Sequence, residues 1–327
     1  MADSDLSASR PASTRLPSTT AGTNLGDFTV RDWLLLAAIA FIWGSSFVLI
    51  DIGLESFEPA LVAWARLTLG ALTLACVPAA RRVRVERGDM GRIALLGTIW
   101  MGVPLLLFPF AQQWIDSSVA GMINGAMGLT TAAWAAVLLR RLPGRRQTLG
   151  LLLGFAGIVA VFFPEVPVAE TTGSARSAFG AALVLIAVIL YGLSANLAVP
   201  LQHRYGSPAL MLRVQLAAMI VVTPFGLLAL PGSRFSWTAA AAMVPLGMLS
   251  TGLGFVLMAT LVGRVGGPRG SIAIYFVPLV AIGLGIAARG ESIHPAAIAG
   301  TALVILGAVI TSRGERGAPT GTRSRGG

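Results

Sequence analysis

The chain has 327 residues, of which 55% are hydrophobic and only 12% are charged. Soluble domains usually carry about a quarter charged residues, so this composition excludes an ordinary water-soluble fold. The net charge of +10 does not indicate nucleic-acid binding, because no basic segment is interleaved with aromatics, and the single cysteine, Cys76, excludes an internal disulfide and a cysteine-based metal site.

Residues 1–31 are rich in Ser, Thr, Ala and Pro and are predicted to be a disordered tail, because they cannot bury enough apolar surface to fold. Apolar runs bounded by charge, Pro and Gly follow, and each is read as a helix crossing a hydrocarbon core of about 30 Å. The predicted spans lie near residues 33–54, 59–80, 93–115, 117–139, 147–164, 179–202, 207–230, 237–262, 268–289 and 294–312. We therefore predict an all-α integral membrane protein of ten transmembrane helices.

The loops between the predicted spans differ in charge from one side of the membrane to the other. Arginines cluster after the second and fourth spans and in both tails, and the loops on the opposite side carry mostly acidic residues. An excess of Arg marks the cytoplasmic side of a membrane protein. We predict a plasma-membrane protein whose tails, 1–31 and 313–327, are both cytoplasmic, with 165–178 as an extracytoplasmic linker.

The two halves of the sequence share three similarities at offsets of 147 to 150 residues. Gly150 and Gly157 recur as Gly300 and Gly307, the run WGSS at 43–46 recurs as YGLS at 191–194, and one intramembrane arginine occurs in the second span of each half. Five spans are an odd number, so the second copy enters the membrane from the opposite side. The pattern predicts two inverted five-helix repeats around a central cavity, an architecture suited to alternating access.

The segment WGSSF at 43–47 and the stretch YFVPLVAIGLGIAARGES at 275–292 carry a resemblance to a known family. The sequence resembles two EamA-type repeats of the drug/metabolite transporter superfamily, at residues 32–164 and 179–312. The first copy departs from the second, with Gly128 where Pro278 aligns and Arg141 where Glu291 aligns. The resemblance implies a ten-helix secondary transporter, often an exporter, with a cavity lined by both halves.

Polar and aromatic residues in mid-span are the candidates for contact with a substrate. The predicted substrate-binding residues are Trp43, Ser46, Arg66, Asn124, Tyr191, Ser194, Arg213 and Tyr275. The two arginines are the only ones inside spans, where an unpaired charge is expensive and is often functional. The alternatives are helix packing for Ser46 and Ser194, interhelical bonds for Asn124, and snorkelling or carbonyl bonds for the arginines, with Asp51 a possible partner of Arg66.

Four residues are predicted to serve helix packing or kinks: Gly44, Gly128, Gly192 and Pro278. No GxxxxGK[ST] loop occurs, so ATP is not expected as the energy source. No Asp or Glu lies deeper than the span ends, so no proton-exchanging acid is expected at mid-membrane.

We predict a secondary exporter of small metabolites, with amino-acid-like or other carboxylate-bearing solutes as cargo. The expected partners are a small-molecule substrate and the lipid bilayer, with no cofactor, no metal ion, no nucleic acid and no obvious protein partner. An intramembrane lipid-modifying enzyme and a non-transporting scaffold are the alternatives. The enzyme would need a buried nucleophile with a base, and no His, Asp or Glu lies at a span centre to serve as one.

Overall fold

A computed structural model describes residues 28–138, 140, 144–162, 172–265 and 272–312, and within these ranges the chain is helical with no strand. The predicted tails, apart from residues 28–31, and the first part of the linker, 165–171, lie outside the described residues. Arg141, which aligns with Glu291 in the sequence repeat, also lies outside them.

The described chain forms long apolar helices joined by short connections. We number them α1 Val30–Leu54, α2 Pro59–Ala75, α3 Arg87–Ala111, α4 Ser117–Leu138, α5 Arg145–Phe162, α6 Thr172–Tyr205, α7 Ser207–Leu228, α8 (the joined segments Trp237–Val244, Pro245–Leu253 and Gly254–Val265), α9 Ile272–Arg289 and α10 Pro295–Ser312. Seven of them are long and apolar enough to cross a membrane, and shorter apolar helices lie in α2, α5 and α10. The all-helical class agrees with the prediction of a membrane protein.

Several helix boundaries differ from the sequence prediction, among them the end of α2 and the starts of α3 and α6. α2 ends at Ala75 rather than near 80, because Pro78 starts a separate short helix, Pro78–Arg82. α6 begins at Thr172 rather than at 179, so it takes in part of the predicted linker. Residues 172–178 contain no proline, and their alanines and arginine favour helix formation.

Two helices contain a π-helical segment, Gly97–Gly102 in α3 and Pro245–Leu253 in α8. Each segment packs closely on a neighbour through a glycine. A methyl group added at Gly97 would lie 2.6 Å from the Cβ of Ala217 in α7, and one added at Gly247 would lie 2.4 Å from the Cβ of Leu69 in α2. The π-helical part of α8 therefore lies directly against α2.

Ion pairs tie the helices together at both ends of the bundle. At one end, which we call the Asp32 end, Arg264 binds Asp32 at 2.6 Å and joins α8 to α1. At the other, the Asp51 end, Arg289 binds Asp51 at 2.5 Å and Glu55 at 2.6 Å, which joins α9 to α1. The pairing of Asp51 with Arg66, considered as an alternative from the sequence, does not occur, because Asp51 lies near the end of α1 and binds Arg289 instead.

Glu291 provides a second connection at the Asp51 end. Its carboxylate accepts hydrogen bonds from the backbone N–H groups of Ser117 and Ser118, both at 3.0 Å, and from the Ser117 hydroxyl at 2.5 Å. These amides open α4, where free N–H groups favour a negative charge. The connection after α9 is thus fixed onto the start of α4.

Candidate functional site

A cavity of about 720 Å³ lies between the helices of the two halves. Its lining residues come from α1, α2, α3 and α4 on one side and from α6, α7, α8 and α9 on the other. Most of the lining side chains are apolar or aromatic. This size and composition are typical of a site for a small organic molecule.

The residues that line the cavity differ in exposure between the two ends of the bundle. Lining residues near that end, such as Gln202, Ser207 and Val262, are half-buried. Those nearest the Asp51 end, Ile50 and Phe108, are buried. These lining residues are therefore more exposed toward the Asp32 end than toward the Asp51 end.

Aromatic rings form much of the cavity wall and hold one another in place. The Trp43 indole N–H donates to the Ser250 carbonyl at 3.1 Å, and its ring centroid lies 5.5 Å from that of Phe255. Trp100 meets Phe255 edge-on at 6.3 Å, and Tyr191 stacks on Phe108 at 6.0 Å. Rings fixed in this way offer a flat substrate a preformed apolar surface.

Arg66 is the charged residue of this cavity. It is only 6% exposed, and its Nε donates to the Thr251 hydroxyl at 3.1 Å. Thr251 in turn donates to the Leu246 carbonyl at 3.1 Å, which fixes the position of its hydroxyl. Among the described residues Arg66 forms no ion pair, and Arg66 is the only charged residue lining the cavity. Within the described part of the chain, the positive charge of Arg66 therefore has no acidic partner.

Other predicted binding residues also line the cavity. Ser46, Asn124 and Tyr275 do so, as do Trp43, Arg66 and Tyr191 described above. The Ser46 hydroxyl donates to the Trp43 carbonyl at 2.6 Å, one turn back, so its oxygen remains available only as an acceptor. The structure thus brings six of the eight predicted residues together.

The structure does not bring the remaining two predicted binding residues, Arg213 and Ser194, to the cavity. The guanidinium of Arg213 donates to the carbonyl oxygens of Ala80, Val83 and Ala209, which is the carbonyl-bonded alternative considered from the sequence. Ser194 is fully buried, and its hydroxyl has no hydrogen-bond partner within the described chain. Neither lines the cavity.

The residues predicted for packing lie at close helix contacts or at the cavity. A methyl group at Gly44 would lie 2.5 Å from the Cβ of Val280 in α9, and one at Gly192 would lie 2.5 Å from the Thr130 hydroxyl in α4. Pro278 lies inside α9, where Gly125 of α4 packs against its ring. Gly128 lines the cavity.

Sequence reasoning missed several wall residues, above all Thr251, Trp100 and Phe255. The two aromatics lie in mid-span, which was the signal that pointed to Trp43, but neither falls in a recognisable repeat. Thr251 carries no sequence signal, because its importance comes only from its contact with Arg66. Within the described ranges no cluster of His, Cys, Asp or Glu could hold a metal ion.

The sequence matches the model of the EamA-like transporter family twice, at residues 32–163 and 178–313. The chain belongs to the EamA-like transporter family. The resemblance inferred from the WGSSF and YFVPLVAIGLGIAARGES segments is thereby confirmed, and the EamA-like matches cover both halves of the helical bundle.

Curated relatives of this EamA-like chain are transporters. It is 30% identical over 287 residues to a probable terminal-alkyne amino-acid exporter of Streptantibioticus cattleyicolor, covering 86% of this chain and 93% of the relative. It is 25% identical to a probable amino-acid metabolite efflux pump of Salmonella typhimurium, covering 88% and 96% of the two chains. A crystal structure of a protein at 16% identity superposes with a TM-score of 0.61 over 86% of this chain and 96% of that one, and so shares the fold. The protein is therefore a multi-pass membrane transporter.

Proposed function

We propose that this protein is a secondary exporter of small carboxylate-bearing solutes that works by alternating access between two inverted five-helix repeats. The observation that carries the proposal is Arg66, a buried cation without an acidic partner in the described chain, placed in a cavity between the two halves. A buried charge is tolerated only when it is compensated. A carboxylate on the substrate supplies that compensation.

The contact between α5 and α10 supports the inverted repeat. A methyl group at Gly157 would lie 2.6 Å from the Gly300 carbonyl oxygen, and one at Gly307 would lie 2.5 Å from the Gly150 carbonyl oxygen. In the sequence repeat, Gly150 corresponds to Gly300 and Gly157 to Gly307. The two contacts are thus exchanged by the repeat, as in a two-fold symmetric interface between antiparallel helices.

The π-helical segments support the same relation. They begin at Gly97 and Pro245, 148 residues apart, which is the offset of the sequence repeat. Each lies in the third helix of its half and packs on the second helix of the other half. The ten apolar helices accordingly divide into residues 32–164 and 179–312, related by an axis in the membrane plane.

The arginine-rich loops and tails assign the sides of this bundle. They support a cytoplasmic location for both termini, and with them for the Asp32 end, in a protein of the plasma membrane. The cavity then opens to the cytoplasm, and the Asp51 end faces outward. A cytoplasmic solute enters directly, and its release requires the ion pairs of Arg289 and the Glu291 contacts to part.

The names of the two relatives, a probable terminal-alkyne amino-acid exporter and a probable amino-acid metabolite efflux pump, agree with outward movement of solutes that carry a carboxylate. The cavity supports the same class of solute, because Arg66 provides a positive charge for the carboxylate and the aromatic walls provide an apolar surface. Without a nucleotide-binding loop in the sequence, the driving force comes from solute gradients or the membrane potential.

The test is counterflow in proteoliposomes that contain the purified full-length protein and no ATP. The internal solution holds 5 mM N-acetylphenylalanine or phenylalanine, and the labelled compound is added outside. We expect labelled solute to accumulate transiently, and we expect Arg66→Gln to abolish this accumulation. Arg213→Gln, the matched change outside the cavity, should retain the relative exchange of the two compounds. If folded protein exchanges neither compound, transport of carboxylates by this chain is refuted.

A further inference from the structure

We propose, building on the transport function above, that the cavity selects a monocarboxylate with an apolar, flat body and no free ammonium group. N-acylated amino acids and plain aromatic or aliphatic carboxylic acids belong to this class, and free zwitterionic amino acids do not. The inference rests on the charge balance of the cavity and on the chemistry of its walls.

The charge balance favours a single negative charge on the substrate. Arg66 provides one positive charge, and among the described residues that line the cavity there is no Asp or Glu. A monoanion neutralises the cavity, whereas a zwitterion brings a second cation next to the guanidinium and leaves the total positive. Because the cavity has aromatic and aliphatic walls, this difference is weakly screened.

Four carboxylates at the two ends of the bundle are already bound to other groups. Asp51 and Glu55 bind Arg289 at the Asp51 end, and Glu291 holds the first amides of α4. Asp32, at the opposite end, binds Arg264 and Thr29. None of these residues lines the cavity.

The uncharged polar groups of the cavity suit an amide or hydroxyl better than an ammonium. The hydroxyl hydrogens of Ser46 and Ser250 are donated to backbone carbonyls, at 2.6 Å and 2.8 Å. Asn124 is half-buried at the cavity wall and offers one amide oxygen and two N–H donors. Such an amide pairs with the C=O and N–H of an acylated nitrogen without a charge on either side.

Aromatic rings can also attract a cation, so this competing contribution has to be weighed. Trp43 and Trp100 both pack against Phe255, and Tyr191 stacks on Phe108. Part of the surface of these rings is therefore occupied by other rings and is not free to contact a cation. The same walls are equally favourable to the apolar body of a monoanion. A net preference for ammonium would therefore have to overcome the repulsion from Arg66.

Thr251 is the positioning residue for this selectivity. Its hydroxyl accepts the Nε hydrogen of Arg66 at 3.1 Å and donates to the Leu246 carbonyl. The two terminal nitrogens of the guanidinium are then the pair that can form a bidentate hydrogen bond with a carboxylate. Arg66→Lys keeps the positive charge but cannot form the bidentate hydrogen bond. It therefore separates electrostatic attraction of the carboxylate from its orientation.

The decisive comparison uses N-acetylphenylalanine and phenylalanine, which share the carboxylate and the ring and differ in the charge on nitrogen. Affinities are measured by isothermal titration calorimetry on the full-length protein in detergent, with 2-phenylethylamine as the cationic probe. We expect N-acetylphenylalanine to bind at least about tenfold more tightly than phenylalanine, and 2-phenylethylamine to bind most weakly. Arg66→Gln should remove the preference and Arg66→Lys should retain part of it, whereas Arg213→Gln should leave the ratio unchanged.

Equal or tighter binding of phenylalanine, tightest binding of 2-phenylethylamine, or no binding of N-acetylphenylalanine at millimolar concentration would overturn the inference. Thermal unfolding of each variant identifies any that fails to fold, and Arg66→Lys then provides the comparison in place of Arg66→Gln. Counterflow separates the two proposals. Exchange of phenylalanine in preference to N-acetylphenylalanine leaves transport standing and refutes the selectivity, while the expected binding ratio without any exchange supports the selectivity and refutes transport.

Discussion

Replacing Arg289 with Gln should open the Asp51 end of the cavity. In the structure Arg289 joins α9 to α1 through two ion pairs, with Asp51 at 2.5 Å and Glu55 at 2.6 Å. Side-chain exposures of 28% for Arg289, 26% for Asp51 and 48% for Glu55 place these pairs at a partly solvated surface. The Glu291 contacts to α4 persist in the variant, so closure is weakened and not lost.

The size of the effect follows from that exposure. Exposed and half-exposed ion pairs contribute about 0.2 to 1 kcal/mol each, and the two here share one guanidinium. Their joint loss changes the balance between closed and open forms by about 1 kcal/mol and by no more than about 2 kcal/mol. That corresponds to a roughly 5- to 30-fold rise in the population open at the Asp51 end.

The assay is labelling of a single cysteine from outside the cell. Cys76 is exposed and is changed to Ser, and Ser46→Cys places a thiol of similar size on the cavity wall, where Ser46 is 7% exposed. A membrane-impermeant maleimide then reports access through the Asp51 end. We expect Arg289→Gln to raise the labelling rate 5- to 30-fold.

The matched control is Arg234→Gln. Arg234 lies at the same end of the bundle, but it bonds through its backbone N–H, which donates to the Ser56 carbonyl at 2.8 Å and is kept in the substitution. Its labelling rate should equal that of the parent. A rate within twofold of the parent for folded Arg289→Gln would refute the view that these ion pairs close the cavity.

Three further changes have defined outcomes. Gly157→Ala should lower the free energy of unfolding by about 1 to 3 kcal/mol, because its methyl group would meet the backbone of α10 at 2.6 Å. Gly283→Ala is the control and should not lower it, because no atom lies within 4 Å of the added methyl group. Thermal unfolding in detergent measures both. Burial, and then the negative charges of Glu291 and Asp51, raises the pKa of Asp116, so the stability that its protonation contributes is complete below its ordinary pKa and is lost as the pH rises through the raised one. Asp116→Asn should therefore raise the unfolding midpoint more at pH 7.5 than at pH 4.5, and an equal change at both would contradict this. Asn196→Leu, which removes bonds of 2.9 Å to the carbonyls of Thr131 and Gly192, should lower stability by about 0.6 to 2 kcal/mol and leave the ratio of N-acetylphenylalanine to phenylalanine affinity unchanged, as calorimetry would show.

Hydropathy alone locates the apolar helices well, because a helix in lipid must satisfy its backbone internally and bear apolar side chains over its length. Their ends are harder to place. Pro78 divides the predicted second span because it lacks an N–H. The early start of α6 at Thr172 depends on the helix preference of residues that are too polar to be read as part of an apolar span.

The two intramembrane arginines illustrate which part of the site sequence can supply. Arg66 and Arg213 occupy corresponding positions in the two halves, and the sequence treats them alike. The structure separates them, because the short helix Pro78–Arg82 and the chain after it bring carbonyl oxygens to Arg213, whereas Arg66 meets a cavity. Residues that correspond in the two halves of the sequence can therefore have different surroundings in the folded chain.

Contacts between distant helices are the other part that sequence reasoning cannot reach. The pairing of Asp51 with Arg289 spans most of the chain, and Asp51 is closer in sequence to Arg66. Only the relative placement of α1, α2 and α9 decides between the two arginines. The same holds for Thr251, which becomes significant only where α8 packs on α2.

The charge of Arg66, which has no acidic partner in the described chain, would make the proposed carrier sensitive to voltage. Moving one elementary charge through the whole membrane field changes the energy by about 2.3 kcal/mol per 100 mV. In a cell whose interior is negative, the empty, positively charged cavity is favoured when it faces the cytoplasm, whereas a cavity neutralised by a monoanion is indifferent to the potential. In the proposed transport cycle the potential would therefore act on the return of the empty carrier, and outward movement of a monoanion would draw energy from it.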